Sequence, residues 1–265
     1  MVRSEGAQRT AQEDLLVTEE PLEIRLGHGA LEALEEVRLS VTMRTPGHDE
    51  ELATGFLCTE GIVRSAADVL RVLHCENVKD EERGNVVRVE LHPDVQMEPA
   101  RWQRNFYMSS SCGVCGKSSI EAVHVQSHRP LAHAAAPDPG VLADLPDRMR
   151  EAQTVFAHTG GIHAAALFDR NGGLVLLRED VGRHNAVDKV VGAMLNIGID
   201  PSDKILLVSG RAGFELVQKC VMGGIPVMAA VGAPSSLAVQ MATDSGLVLI
   251  GFLRGARYNL YAGDR

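Results

Sequence analysis

Residues 204–232 read KILLVSGRAGFELVQKCVMGGIPVMAAVG, and the fold turns on this stretch. KILLVSG and IPVMAAVG are short apolar runs ended by Gly or opened by Pro, and the helix-length GFELVQKCVMG lies between them. Strands with no polar face, joined by a helix, read as parallel strands covered on both sides. The pattern extends in both directions. AAALFD (164–169) and GLVLLRED (173–180) come first, HNAVDKVVGAMLNIG (184–198) follows them, and PSSLAVQMATDSG (234–246) leads into GLVLIGFL (246–253). The order β-β-α-β-α-β-α-β predicts a layered α/β domain over 151–265, with a mixed sheet and flanking helices. Ligands of such sheets sit outside the carboxyl ends of the strands. There VSGRAGFE (208–215) and GFLRGAR (251–257) each place an arginine in a glycine-flanked turn.

Upstream the pattern changes. PLEIRLGH (21–28) and EVRLSVTMR (36–44) alternate as paired strands do, and TPG (45–47) ends the second. HDEELATGFLCTEGIV (48–63) opens with acidic residues suited to a helix's first turn, and NVVRVELHP (85–93) returns to strand. A smaller strand-rich N-terminal part is therefore expected over 21–108. Residues 1–20 are polar, without apolar period, and are expected to form a disordered or loosely attached arm. A mobile loop is expected over 109–117. Residues 118–150 are read as a helix, SSIEAVHVQ (118–126), and a breaker-rich linker, HRPLAHAAAPDPGVLADLP (128–146).

Composition limits the function classes. With 265 residues, 45% of them hydrophobic, the chain can bury a sizeable core, and a net charge of −9 argues against a general nucleic-acid or anionic-membrane surface. No run approaches the roughly 18 apolar residues of a membrane span, and MVRSEGAQRTAQED has no apolar middle, so a cytoplasmic protein is expected. Five cysteines at 58, 75, 112, 115 and 220 make a poor disulfide framework and are read as reduced thiols, with Cys58, Cys75 and Cys220 as inert packing.

Cys112 and Cys115 are different. They lie in SSSCGVCGKSSIEAV (109–123), where Ser, Gly and Lys stand in place of the apolar neighbours that plain packing needs. Zinc would require two further ligands recruited from a distance, since there is no second CxxC. A thioredoxin-type dithiol sits at a strand-to-helix junction, which RWQRNFYMSSS (101–111) matches weakly. A nucleophilic sulfur carrier accounts for the surroundings. The serines and glycines give mobility, Lys117 and the helix start favour thiolate, and a second thiol can resolve or relay a persulfide. A zinc-dependent deaminase-like hydrolase is the chemical rival. That class pairs His-x-Glu with a later Pro-Cys-x-x-Cys. Here residue 165, two after His163, is alanine, and the CxxC comes first and lacks its proline, although the C-terminal element order resembles the cytidine-deaminase-like architecture.

The remaining candidates each have two readings. VGRHNA (181–186) puts Gly182, Arg183 and His184 at a helix start, suited to an anion or to a plain cap using Asp180 or Asn185. TGG (159–161) allows close backbone approach by a ligand, or is a tight turn. His163 beside it is a wall residue or a chemical group. Arg211, at a strand's carboxyl end, has phosphate logic.

Taken together, SSSCGVCGK (109–117), TGGIHAAAL (159–167), EDVGRHNAVDKV (179–190), SGRAGFELVQK (209–219), GFLRGARYNLY (251–261) and RTPGHDEELATGFLCTEGI (44–62) resemble the FdhD/NarQ family of formate dehydrogenase accessory sulfurtransferases. The resemblance runs from about Pro21 to the C-terminus. It implies a cytoplasmic homodimer that accepts sulfur as a persulfide from a cysteine desulfurase. It also implies delivery of that sulfur to the molybdenum cofactor, as bis(molybdopterin guanine dinucleotide), for formate dehydrogenase. On the family pattern Cys112 carries the persulfide and Cys115 assists. On that pattern too, Phe252, Leu253, Arg254, Gly255, Ala256 and Arg257 contact the guanine nucleotide end; the residue reading above adds Arg211, His163, Gly182 and Arg183 as expected cofactor contacts. GDP or GMP is then the expected mimic, and no resident metal is expected. A cofactor-binding maturation chaperone without sulfur transfer is the competing function.

Overall fold

The computed structural model describes residues 1–95 and 131–263. The expected loop at 109–117 and helix at 118–126 lie outside them.

The C-terminal part has the expected architecture. Strands β7 (His163–Phe168), β8 (Leu174–Asp180), β9 (Ile205–Val208), β10 (Val227–Ala230), β11 (Val248–Arg254) and β12 (Arg257–Ala262) form one sheet in the order β12-β11-β10-β9-β7-β8. β9, β10 and β11 are parallel; β7, β8 and β12 run antiparallel to their neighbours. Helices α4 (Arg183–Asn196), α5 (Phe214–Met222) and α6 (Ser236–Ser245) lie between the strands in sequence. Both faces of β7, β9, β10 and most of β11 are covered, which is why their sequences are apolar without alternation, whereas β8 and β12 are partly exposed at the two edges. Leu206, Val208, Met228 and Ala230 point into one core, and Ile205, Leu207, Val227 and Ala229 into the other.

The second core depends on a helix that the linker reading missed. α2 (Pro139–Ala152) packs Leu142, Leu145 and Met149 on that face. Its prolines misled for a definite reason. Pro139 is the first helical residue, where no N–H is needed, and Asp138 caps it by accepting from the Gly140 N–H at 2.7 Å. Pro146 costs a helical bond, but three buried apolar residues around it contribute more than the roughly 3 kcal/mol lost. A short helix, α3 (Thr154–Thr159), follows. Its second and third residues, Val155 and Phe156, donate their N–H groups at 2.9 and 2.8 Å to the Glu179 carboxylate at the end of β8.

In the N-terminal part β3 (Glu20–His28) and β4 (Glu35–Arg44) pair as expected, with β6 (Val86–Leu91) beside β3 and β5 (Val69–His74), a strand not read from the sequence, at the edge. Leu22, Ile24, Leu26, Val87 and Val89 face α1 (Asp49–Thr59). The residues expected to form a disordered or loosely attached arm carry an exposed hairpin, β1 (Val2–Glu5) with β2 (Gln8–Ala11). None of its residues is buried, so it has no apolar anchor among the described residues.

α1 joins the two parts into one core. It crosses α4 backbone against backbone: a Cβ on Gly55 would stand 1.8 Å from the Asp188 carbonyl oxygen, and one on Gly192 would stand 1.8 Å from that of Glu51. Ion pairs surround the crossing. Arg178 grips Glu51 through two bonds of 2.5 and 2.8 Å, and Lys219 on α5 reaches both Asp188 oxygens and the Thr59 hydroxyl at 2.9 Å. Arg44 holds Asp49 at the start of α1 through bonds of 3.0 and 2.9 Å.

Candidate functional site

The loops at the carboxyl ends of β9, β10 and β11 are stitched into a continuous ledge. The Gly232 N–H donates to Gly210 O at 2.9 Å, the Phe252 N–H donates to Gly232 O at 3.0 Å, and on the far side Ser209 N–H donates to Ala164 O at 3.0 Å. Because β7 runs against β9, its first residue, His163, lies at this same edge, paired with Asp180 at the end of β8. Phe252, Arg211, His163, Gly182 and Arg183, scattered over 90 positions of sequence, thus lie along one edge. At 232 a Cβ would stand 3.0 Å from Arg211 Cα and Cγ and from Gly210 O, so any side chain there presses on the ledge.

β11 continues past its parallel partner into a hairpin that overhangs the ledge. Phe252 has φ 54°, a left-handed conformation rare for an aromatic residue, at a break in the β11–β12 register, and its side chain is 41% exposed. Beyond it Arg254 and Arg257 are cross-strand partners flanking Gly255 and Ala256. Like charges directly opposite one another are destabilising, and neither arginine has a carboxylate partner among the described residues. An anion between them removes the repulsion. Arg211 is likewise exposed and unpaired among the described residues, and Arg183 has a buried Nε without a hydrogen-bond partner.

Much of VGRHNA serves architecture. The Gly182 N–H donates to Asp180 Oδ1 at 2.8 Å, and Asn185 Nδ2 donates to the same oxygen at 3.0 Å, so that amide is already engaged in a turn; the N-cap of α4 is Gly182 itself, without a side-chain cap from Asp180 or Asn185. Asp180 is fully buried and paired with Lys189 at 2.7 Å, and Lys189 also donates to Thr45 O at 2.8 Å. His184 meets Glu215 at 2.7 Å, tying the first turns of α4 and α5 together. His163 is half-buried. Desolvation, then the neighbouring Arg183 and His184, push its pKa below the usual histidine value against the pull of Asp180, which favours the neutral imidazole.

A cavity of about 560 Å³ opens beside His163, between the sheet edge and helices α2 and α3. Gly160, Gly161 and Ile162 form one wall, Ser209 and Val231 another, and Asp147, Arg150, Gln153 and Phe156 close it from the helices. TGG, expected as a ligand approach or a tight turn between strands, instead ends α3, with Gly160 at φ 65°, and leads into β7, and both glycines line the cavity. Asp147 and Arg150 escape the sequence reading because 118–150 reads as a helix and linker, and Gln153 and Phe156, inside the 151–265 domain, because no motif marks them. The spacing of Leu142, Leu145 and Met149 carries the helical signal that finds the first two.

Cys112 and Cys115 lie outside the described residues. Of the other thiols, Cys58 is pushed up to about 12 by burial, with the Asp188 charge adding to it, and burial raises Cys220 still further. Both are inert packing. Cys75 departs from the packing expectation: it is partly exposed just beyond β5, though desolvation raises it too.

Comparison with known proteins follows the same lines. Residues 17–265 match the model of the FdhD/NarQ family. The chain is 50% identical over 268 residues to the sulfur carrier protein FdhD of Streptomyces coelicolor, covering 99% of this chain and 92% of that one. Against the sulfur carrier protein FdhD of Mycolicibacterium paratuberculosis it is 49% identical over 260 residues, covering 97% and 93%. A crystal structure described as a formate dehydrogenase accessory protein from Desulfotalea psychrophila has the same fold, with TM-score 0.73 and 24% identity over 100% of this chain and 96% of that one.

Proposed function

The chain belongs to the FdhD/NarQ family, and from that premise we propose that it is a sulfur carrier in formate dehydrogenase maturation, with Cys112 as the persulfide site. Cys112 thiolate attacks the terminal sulfur of a persulfide on a cysteine desulfurase. The desulfurase cysteine leaves as thiolate, and Cys112 keeps the transferred sulfur as its own persulfide. For delivery, Cys115 thiolate attacks the Cys112 sulfur. The carried atom departs at the oxidation level of hydrosulfide onto the molybdenum cofactor, and the two electrons it needs come from the thiol pair, which becomes a disulfide for a cellular dithiol to reduce. The chain acts as a cytoplasmic homodimer on this reading.

The cofactor, in bis(molybdopterin guanine dinucleotide) form, is polyanionic, and an acidic protein must bind it in a local cationic site. The opposed Arg254 and Arg257 on the overhanging hairpin are the observation that carries this half of the proposal. Arg211 from the next loop, Arg183 and the neutral His163 extend the same edge, with Phe252 offering an aromatic face to the base. A maturation chaperone without sulfur transfer would use the same edge, so the sulfur chemistry of Cys112 separates the two.

GDP is expected to bind without Mg²⁺, since there is no GxxxxGK[ST] loop. An arginine to a phosphate contributes on the order of 1.5–3 kcal/mol, so Arg254→Ala is expected to weaken GDP roughly ten- to a hundredfold by calorimetry. Equal affinity in both proteins, or equally tight binding of ATP, contradicts the assignment.

A further inference from the structure

Arg183 stands close to carboxylates yet pairs with none of them among the described residues. It opens α4, three residues after Asp180, and its Nε is buried without a hydrogen-bond partner. A guanidinium so placed ordinarily forks onto the nearest carboxylate. Asp180 is closed to it, because each of its oxygens already accepts two bonds. Oδ1 takes the Gly182 N–H at 2.8 Å and Asn185 Nδ2 at 3.0 Å, while Oδ2 takes Lys189 Nζ at 2.7 Å and the Thr45 N–H at 3.2 Å. A carboxylate has about four acceptor positions, so none is left. The adjoining acids are engaged too. Glu215 meets His184 at 2.7 Å, and Glu179 accepts from the Val155 and Phe156 N–H groups.

The N-terminal part supplies much of this saturation. Thr45 makes three bonds to residues 135 to 144 positions away: its N–H donates to Asp180, its Oγ1 accepts from the Val181 N–H at 3.2 Å, and its carbonyl accepts from Lys189 Nζ at 2.8 Å. Just before it, Met43 O accepts from Asn185 Nδ2 at 2.7 Å and the Thr42 hydroxyl donates to Asn185 Oδ1 at 3.1 Å. Lys189 is 1% exposed and Asp180 fully buried, so their charges cancel out of reach of solvent. The charge of Arg183 remains at the start of a helix, where the first N–H groups also favour an anion.

We propose that Lys189 and Thr45 are positioning residues for the anion site: by saturating Asp180 they keep Arg183 out of an internal salt bridge and free for a phosphate. Neither touches the ligand. Both act through Arg183, Lys189 by neutralising the carboxylate that would otherwise capture it and Thr45 by holding the turn in which the two lie. The inference rests on the cofactor reading for the identity of the anion.

Calorimetry with GDP on the purified full chain tests it, with circular dichroism to confirm that each variant folds. Arg183→Ala is expected to weaken GDP about tenfold. Lys189→Met leaves the Asp180 charge to Arg183 and is expected to weaken GDP by the same factor, yet to add nothing in the Arg183→Ala background. Combining Lys189→Met with Asp180→Asn removes both charges and is expected to restore affinity to within about twofold of the wild type, which a turn that had merely collapsed would not show. Thr45→Val, which takes the acceptor from the Val181 N–H, is expected to weaken GDP about threefold, and Thr45→Ser to bind as the wild type does. If Lys189→Met does not fold, the Thr45→Val pair decides: a loss that vanishes in the Arg183→Ala background supports the inference, and an equal loss in both backgrounds overturns it. If Arg254→Ala weakens GDP while Arg183→Ala, Lys189→Met and Thr45→Val do not, the inference is overturned and the cofactor reading stands. If the wild-type chain does not bind GDP, both are overturned.

Discussion

Gly55→Ala is expected to lower the unfolding free energy by about 3 kcal/mol or more, an effect at the top of the range for overpacking. The added methyl would lie 1.8 Å from the Asp188 carbonyl oxygen and 2.8 Å from the Gly192 nitrogen. These are backbone atoms of a helix, so no side chain can swing aside. The helices must part by more than 1 Å, which breaks the fit between the N-terminal sheet and the C-terminal layers and strains the bonds from Lys219 to Asp188 and from Arg178 to Glu51. Gly192→Ala should behave alike, meeting Glu51 O at 1.8 Å. Gly161→Ala is the control: its methyl has Thr159 O at 3.8 Å as its nearest contact, and a change within about 0.5 kcal/mol is expected. Urea unfolding measures all three. A Gly55→Ala midpoint equal to that of the wild type would show that the crossing is looser than described.

Cys112→Ala is expected to abolish formate dehydrogenase maturation, and Cys115→Ala to leave a Cys112 persulfide that forms but is delivered poorly. Among the described residues no thiol is poised to substitute. Cys58 and Cys220 are buried with their thiolates strongly disfavoured, and Cys75, partly exposed, is also shifted away from thiolate by desolvation. Formate dehydrogenase activity in a strain lacking the native protein and complemented with each variant is the measurement. Equal and complete loss of persulfide in both variants would mean that the pair acts as a unit.

Legibility in the sequence followed burial. β7, β9, β10, β11 and α4 to α6 could be read because both faces of those strands are covered and their apolar runs are unbroken, and β8, at the sheet edge, because its LVLL opens on an apolar run. α2 could not, because Pro139 and Pro146 signal a break while the buried Leu142, Leu145 and Met149 carry the opposite message. β12 is an edge strand whose RYNLYA is half polar, and β5 is an edge strand with no fully buried residue, so neither stood out. The site was legible as motifs but not as a division of labour. Gly182, expected at an anion, spends its N–H on Asp180, whereas the arginines of the hairpin are left unpaired among the described residues. Pairings such as Asp180 with Lys189 and Asp188 with Lys219 depend on the crossing of helices distant in sequence, which no local pattern encodes. These buried charges explain why such long motifs surround so few ligand-facing residues.

Intact-mass spectrometry after incubation with a cysteine desulfurase and cysteine tests the central claim most directly. The wild-type chain is predicted to gain the mass of one sulfur atom, lost on treatment with a dithiol, with the modification on the peptide that contains Cys112 and none on Cys112→Ala. A wild-type chain that gains no sulfur under conditions where the desulfurase itself is loaded, or a gain that persists in Cys112→Ala, would contradict the account.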